Sequence, residues 1–330
     1  MAFLLRGMAA DGSIRVVAAD TTDLVGEAVA RHGAARTAGA ALGRTLTGAL
    51  LLSHVLLKNP QDRVTLRLRG DGPLGGVIAD AGLDGTVRGY AHNPEVELPP
   101  RSDGKLDVGG AVGHTGDIEV IRSHAPYGDP YASNLELATG EVAEDIATFL
   151  AVSEQVASAV LLGVYFGPGG EVERAGGVLL QALPGADDAA LDLLEANVKA
   201  FEPLTTAMRR APLVDLLRDE LCWGMGFELF TDPALPLAFA CRCNDTKALD
   251  ALAYFTPEER ERMVAEDGGA EVVCHWCGER RWFTPERILA LSADEIRCPD
   301  CGTLWYRDGQ ATMVREDELC ACGRPVELSV

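Results

Sequence analysis

The stretch "CRCNDTKALDALAYFTPEERERMVAEDGGAEVVCHWCGERRWF", residues 241–283, decides how the C-terminal part of this chain must be read. Cys241 and Cys243 stand one residue apart, Cys274 and Cys277 two apart, and thirty residues separate the pairs. Nothing in the chain suggests secretion, so a C-x-C pair here could be half a metal clip, half a redox switch, a catalytic thiol or packing. Clustered pairs in such a setting point to metal or redox chemistry rather than a disulfide scaffold. Zinc takes four soft ligands in a tetrahedron with Zn–S about 2.3 Å, and a pair on a tight turn supplies two adjacent vertices. The intervening segment is built to fold back. "TKALDALAYF" predicts a helix, and "TPEERERMVAEDG" a second one with Thr256 as N-cap, Pro257 in the first turn and Glu259 as reciprocal cap. Gly268 and Gly269 stop it, and "AEVV" runs into the second pair. Two helices between two knuckles would bring the four sulfurs together.

Several chemistries are compatible with that spacing. A zinc-stabilised module without any redox role is one. A clip that is also a switch is another: a disulfide between residues i and i+2 closes a small, strained and readily reduced ring, and zinc holds its sulfurs as thiolates, the form that oxidants attack. A structural zinc contributes on the order of 10–16 kcal/mol to folding a small module, so expelling it should unfold the module. A thiol-disulfide oxidoreductase fits less well, because Gly278 follows the second cysteine as in a zinc knuckle. His275, inside that knuckle, is expected beside the ligands or in solvent rather than as a fifth ligand. Trp276, Trp282 and Trp305 are expected to form minimal cores near the knuckles.

The rest of the composition narrows the field. The 330 residues carry 29 basic and 50 acidic side chains, a formal charge of −21, which repels phosphate backbones and argues against nucleic acid as a partner. The N-terminal apolar run is too short for a signal peptide. The longest apolar stretch, "TLTGALLLSHVLL" at 45–57, falls short of the roughly 20 residues that span a bilayer and predicts a buried helix, so a cytoplasmic protein without membrane contact is expected. Residues 1–185 read as a mixed α/β domain. "SIRVVAADTT" alternates as a strand, 23–57 reads as helical with Asp23 or Thr22 as cap, and "RVTLRLRGDGPLGGVIADAG" reads as strand, Gly-rich turn and strand. The turn 70–75 matches G-x-G-x-x-G, but a dinucleotide site needs it to open a helix, and a hairpin is the better reading. Further strands are expected in "TVRGYAH", "AVGHTGDIEVIRS" and "VLLGVYFG", and a helical period runs through "EVAEDIATFLAVSEQVASAV". Residues 186–222 form short amphipathic helices broken at Pro203 and Pro212, with Leu191, Leu194, Val198 and Phe201 in one stripe. Such helices need a surface to pack on. Cys222 is expected to be a buried small hydrophobe. His32, His54, His92, His114 and His124 lack ligand spacing, "SEQ" at 153–155 suits capping or packing, and no set of residues looks like an active site.

With these residues in hand, the chain resembles the heat shock protein 33 family of bacterial redox-regulated chaperones over roughly residues 3–291. The C-x-C…C-x-x-C pattern carries the resemblance, together with "GDGPLGG", "TVRGYAH", "SEQ" and "GGVLLQALPGA" in the same order. It implies an ATP-independent holdase, not an enzyme, in which Cys241, Cys243, Cys274 and Cys277 hold zinc in the reduced state. Oxidants such as hypochlorite, or peroxide with heat, would form the disulfides Cys241–Cys243 and Cys274–Cys277 and release zinc. The module and then the linker would unfold, expose apolar surface to unfolding client proteins, and dimerise.

The expected fold class is thus α+β: an N-terminal chaperone domain (1–185), an amphipathic helical linker (186–240), a zinc-binding redox-switch domain (241–292) and a C-terminal extension (293–330). The extension departs from the family pattern. Its Cys298-x-x-Cys301 and Cys320-x-Cys322 offer a second four-thiolate site, read as a small zinc ribbon, with reserve thiols or exchanging ligands as alternatives. Two functions from other classes compete: a zinc-ribbon adaptor or regulator binding one defined partner or nucleic acid, the latter opposed by the acidic charge, and a thiol oxidoreductase.

Overall fold

One helix, Arg36–Leu56, is the axis of the N-terminal unit. Every residue from Thr37 to Ser53 except Arg44 is buried, because the helix packs against two sheets at once. Its alanines and glycines allow that approach: a Cβ on Gly43 would lie 2.6 Å from a Val25 methyl and 2.7 Å from one of Val164. The buried hydroxyls are satisfied locally, with Thr45 and Thr47 donating to the Ala41 and Gly43 carbonyls and Thr21 paired with Thr47 at 2.8 Å. This computed structural model describes residues 1–124, 129–230 and 234–291, and the backbone of 295–297 and 304–306. It divides into two compact units, Met1–Ala240 and Cys241–Val330.

In the first unit, one sheet runs Phe227–Leu229, Phe3–Ala9, Ile14–Asp20, Val172–Ala182, Ser158–Phe166, all antiparallel, with Leu235–Pro236 also paired to Phe3–Ala9. The other runs Ala238–Phe239, Thr86–Ala91, Val77–Gly82, Arg63–Gly70, Gly116–Ser123, Tyr131–Glu136, antiparallel except at Ala238–Phe239. "RVTLRLRG" shows why a strand forms: Val64, Leu66 and Leu68 are fully buried, while Arg67 on the opposite face forms an ion pair with Glu119 directly across the ladder. The "GDGPLG" turn joins two antiparallel strands, so the hairpin reading holds and the dinucleotide geometry is absent from it. Gly75 and Gly76 take φ +70° and +134°, which the turn requires.

Some expected boundaries shift. The helical run from residue 23 is two helices, Thr22–His32 and Arg36–Leu56, broken at Gly33, whose φ of +59° ends the first. Neither Thr22 nor Asp23 caps it. Thr21 is the N-cap residue without a side-chain cap bond, and the Asp20 carboxylate accepts from the Thr22 N–H at 3.0 Å. The stretch "AVGHTGDIEVIRS" begins at the end of a short helix, Val108–Val112, before becoming strand Gly116–Ser123. The period after Glu141 gives helix Val142–Val152 only. The "SEQ" segment follows that helix directly: the Ser153 N–H bonds the Phe149 carbonyl at 2.8 Å, and Glu154 pairs with Arg122 at 2.7 Å.

Residues 186–240 share this first unit. Helices Asp188–Ala200, Leu204–Arg210 and Leu213–Leu216, with a π-helical turn Leu217–Leu221, follow the proline breaks. Asp187 caps the first by accepting from the Ala190 N–H at 2.7 Å. The helices cover the sheet face opposite the axial helix: Ile14, Val16, Ala18, Val178 and Leu180 form one cluster with Leu194, Ala207, Leu216, Leu217 and Leu221. Of the stripe, Leu194 is buried there, and Leu191, Val198 and Phe201 pack half-buried against it. Arg210 ties the run together, its guanidinium donating to both Glu202 and Glu220 at 2.6 to 3.0 Å. No described helix is long and apolar enough to cross a membrane.

Replacing fully buried Leu216 by alanine removes methyl groups from the centre of that cluster. The variant is expected to lose about 2–5 kcal/mol of stability in denaturant titrations, with new proteolytic cleavage confined to 188–221. Wild-type stability would show that the helices do not depend on this packing.

Candidate metal centre

The second unit begins at the first cysteine pair and builds its ligands from capped helices and one hairpin. Asn244 caps helix Asp245–Ala253, its Oδ1 accepting from the Lys247 N–H at 2.8 Å. Helix Pro257–Asp267 carries the complete reciprocal cap: the Glu259 N–H donates to Thr256 Oγ1 at 3.3 Å, and the Thr256 N–H to Glu259 Oε2 at 2.9 Å. Gly268, at φ +72°, ends that helix. Strands Ala270–Val273 and Arg280–Phe283 then pair antiparallel, and helix Pro285–Leu289 follows them.

The second cysteine pair sits in the loop of that hairpin. The Gly278 N–H returns to the Cys274 carbonyl at 2.8 Å, with Gly278 at φ +69°, and the Cys274 N–H bonds the Glu279 carbonyl at 2.9 Å. The turn aims both sulfurs the same way. The sulfur atoms of Cys241, Cys243, Cys274 and Cys277 all lie within 4.8 Å of one another. Cys241 Sγ is 3.8 Å from Cys274 Sγ, and Cys243 Sγ is 3.5 Å from Cys277 Sγ. In a zinc tetrathiolate with Zn–S about 2.3 Å, the tetrahedral edge is about 3.8 Å. The donor set therefore fits a tetrahedral, thiophilic divalent ion, and the cysteines are free rather than joined in disulfides.

The surroundings suit such an ion. Cys277 is 2 % exposed, and its burial pushes the thiol well above its usual range. Burial also raises Cys274, with the nearby Cys241 adding to the shift. Cys274 and Cys277 so placed resist ionisation, so metal binding there would displace their protons and strengthen as pH rises. Among the described residues the local core is small: Ala248, Leu252, Phe283 and Ile288, with Leu249, Val264, Ala270, Val272 and Leu291 around them. A core of that size seldom holds a module together without a staple.

Two expectations fail here. Trp282 is 56 % exposed and lies over Gly269 rather than in the core, which Phe283 fills from the opposite face of the same strand. Trp276 is only half-buried. His275 is exposed, outside the sulfur cluster. The sequence reading also missed Arg281, whose Nη2 lies 3.6 Å from Cys243 Sγ while its Nη1 holds Asp245 at 3.1 Å. Only its place four residues beyond the last ligand could have drawn notice. Cys222 stands elsewhere, in the core of the first unit at 1 % exposure, with burial pushing its thiol up to about 12. Cys298, Cys301, Cys320, Cys322 and Trp305 lie outside the described side chains.

Comparison with known proteins places this architecture. The family model described as "Hsp33 protein" matches residues 3–284. A "33 kDa chaperonin" of Thermus thermophilus is 54% identical over 337 residues, covering 99% of this chain and 98% of its own. Its counterpart in Deinococcus radiodurans is 46% identical, covering 89% of this chain and 99% of its own. A crystal structure of the 33 kDa chaperonin (heat shock protein 33 homolog) from Thermotoga maritima superposes with a TM-score of 0.79 at 34% identity, covering 88% of this chain and 97% of that one.

The contrast between Cys222 and the cluster gives a direct check. Alkylation of the native, reduced, metal-free chain at mildly alkaline pH is expected to leave Cys222 unmodified, with labelling there only after unfolding. Labelling of Cys222 in the native state at a free-thiol rate would contradict its burial.

Proposed function

The chain belongs to the Hsp33 family, and from that premise we propose that it is an ATP-independent holdase chaperone switched on by oxidation. One observation carries the redox part of the reading: four cysteine sulfurs converge within 4.8 Å in a module whose described residues bury four apolar side chains in one core. Zinc bound there would supply the charge that keeps all four sulfurs as thiolates and the bonds that hold the two pairs together.

The chain's own residues supply the switch. In each pair, two thiolates would give two electrons to one hydrogen peroxide, which takes up two protons from solvent and leaves as two waters while one S–S bond forms. Cys241 would join Cys243, and Cys274 would join Cys277. Four sulfurs so paired no longer present four thiolate donors, and the module keeps only its small core, the two caps and the hairpin. The helices 188–221 supply the second part. Their buried leucines cover a sheet face, and their lifting would uncover Ile14, Val16, Ala18, Val178 and Leu180 for unfolding client proteins. Freed apolar surface of this kind also gives two copies a reason to associate, so dimerisation belongs to the oxidised state. On this reading 1–185 is the chaperone domain, 186–240 the movable linker, 241–292 the switch and 293–330 an extension whose own four cysteines form a second zinc ribbon. The acidic surface keeps the opened protein soluble and away from nucleic acid, and a cytoplasmic setting suits a switch held reduced until stress.

Light scattering from a heat-unfolding client separates the outcomes. Suppression by peroxide-treated chain but not by the reduced, zinc-loaded form is expected, together with loss of zinc on oxidation. Equal suppression by both forms would mean a constitutive chaperone, and none by either would sink the assignment.

A further inference from the structure

Arg281 sits where a metal ligand meets the module's fold. Its side chain is 23% exposed, with Nη2 3.6 Å from Cys243 Sγ and Nη1 3.1 Å from Asp245 Oδ1. Asp245 lies in the first turn of the helix that starts just after Cys243, and its other oxygen accepts from Arg287 Nη1 at 3.1 Å. Arg287 in turn lays its guanidinium 4.9 Å from the ring centroid of Phe283, the largest buried side chain of the module. A continuous series therefore runs from the core through Phe283, Arg287, Asp245 and Arg281 to one of the four sulfurs.

The charges along it explain its use. A divalent ion with four thiolates carries a net charge of −2 (two minus four). Asp245 balances one of the two guanidiniums, so the pair leaves one positive charge directed at the Cys243 side. A planar guanidinium can serve a sulfur and a carboxylate at once from separate nitrogens, which an ammonium cannot do with the same geometry. Groups bonded to metal ligands orient them and tune their reactivity. A thiolate that accepts a charged N–H bond has part of its lone-pair density engaged and is a poorer nucleophile.

We infer that Arg281 is a positioning residue of the centre, orienting Cys243 and restraining that sulfur's attack on electrophiles so that Cys243 is the guarded member among the partly exposed cysteines. This rests on the proposed metal reading. Asp245 and Arg287 act through Arg281 by fixing its guanidinium.

The test uses the reduced, zinc-loaded full chain and iodoacetamide, with site-resolved labelling by mass spectrometry and zinc release followed by a chromogenic chelator. In Arg281→Met the ratio of Cys243 to Cys274 labelling rates is expected to rise roughly tenfold, the factor that one charge-assisted hydrogen bond represents. Arg281→Lys should restore part of the difference, leaving a rise of about threefold or less. Zinc is expected to leave Arg281→Met sooner than the wild type. A ratio unchanged in Arg281→Met, or labelling of Cys243 and Cys274 rising in parallel, would overturn the inference, because a merely structural loss exposes both sulfurs together. Absence of bound zinc in the wild type would instead overturn the metal reading and this inference with it.

Discussion

The second unit depends on the convergence of four sulfur atoms. Its helices are well capped and its hairpin is regular, but caps contribute only about 1 kcal/mol each, and the four buried apolar side chains among its described residues are few against the ordering of several short elements. The sulfurs join what the core does not: Cys241 and Cys243 at the entrance to the first helix, and Cys274 and Cys277 in the hairpin loop. Whatever holds those sulfurs holds the unit. Because thiols buried as Cys277 is resist ionisation, a metal is the agent the proposed reading assigns, with an oxidant as its antagonist.

The first unit solves the opposite problem. The helix Arg36–Leu56 and the two sheets share a large core and need no staple. Its weak part is the run of helices between Asp188 and Leu221, of which the longest has thirteen residues and the shortest four. Helices this short are marginal alone, so they persist through burial of Leu194, Leu204, Leu213, Leu216 and Leu221 on one sheet face. The Glu202–Arg210–Glu220 fork is too exposed to count for much. A stable body thus carries a cover of short helices, which is the arrangement the proposed conditional holdase would use.

Much of this was legible in the sequence, and what was not has identifiable causes. Cysteine spacing, the Thr256 capping box, Gly268 and the proline breaks act locally, and the structure follows them. The G-x-G-x-x-G match was rightly read as a hairpin, because Pro73 and the paired glycines define a turn. The break at Gly33 was missed because apolar periodicity continues across it, and the capping role went to the wrong threonine for lack of a side-chain cap bond at Thr21. The placement of Trp282 was misread because knuckle proximity says nothing about which face of a strand is inward; alternation gives that face to Phe283. Arg281 was invisible because its partners, Cys243 and Asp245, lie about 38 and 36 residues away in sequence. Strands Phe3–Ala9, Tyr131–Glu136 and Val172–Ala182 also went unread, since their pairing, not their composition, makes them strands.

The extension after residue 292 bears on how the switch is set. The Thermus relative aligns over 99% of this chain and so accompanies the extension almost to its end, whereas the Deinococcus relative covers 89% of this chain with 99% of its own length and must stop near where the extension begins. The tail is therefore an addition that a complete family member can lack. Among the described residues, the first four cysteines converge without a ligand from the extension. If a second tetrathiolate site folds beside the first, its stability adds to that of the same small unit. The linkage then has a definite sign: any binding energy confined to the folded module deepens its folded state and makes opening require more sulfurs to be oxidised. On the proposed reading, an extension of this kind would raise the threshold of the switch without altering the chemistry of its trigger.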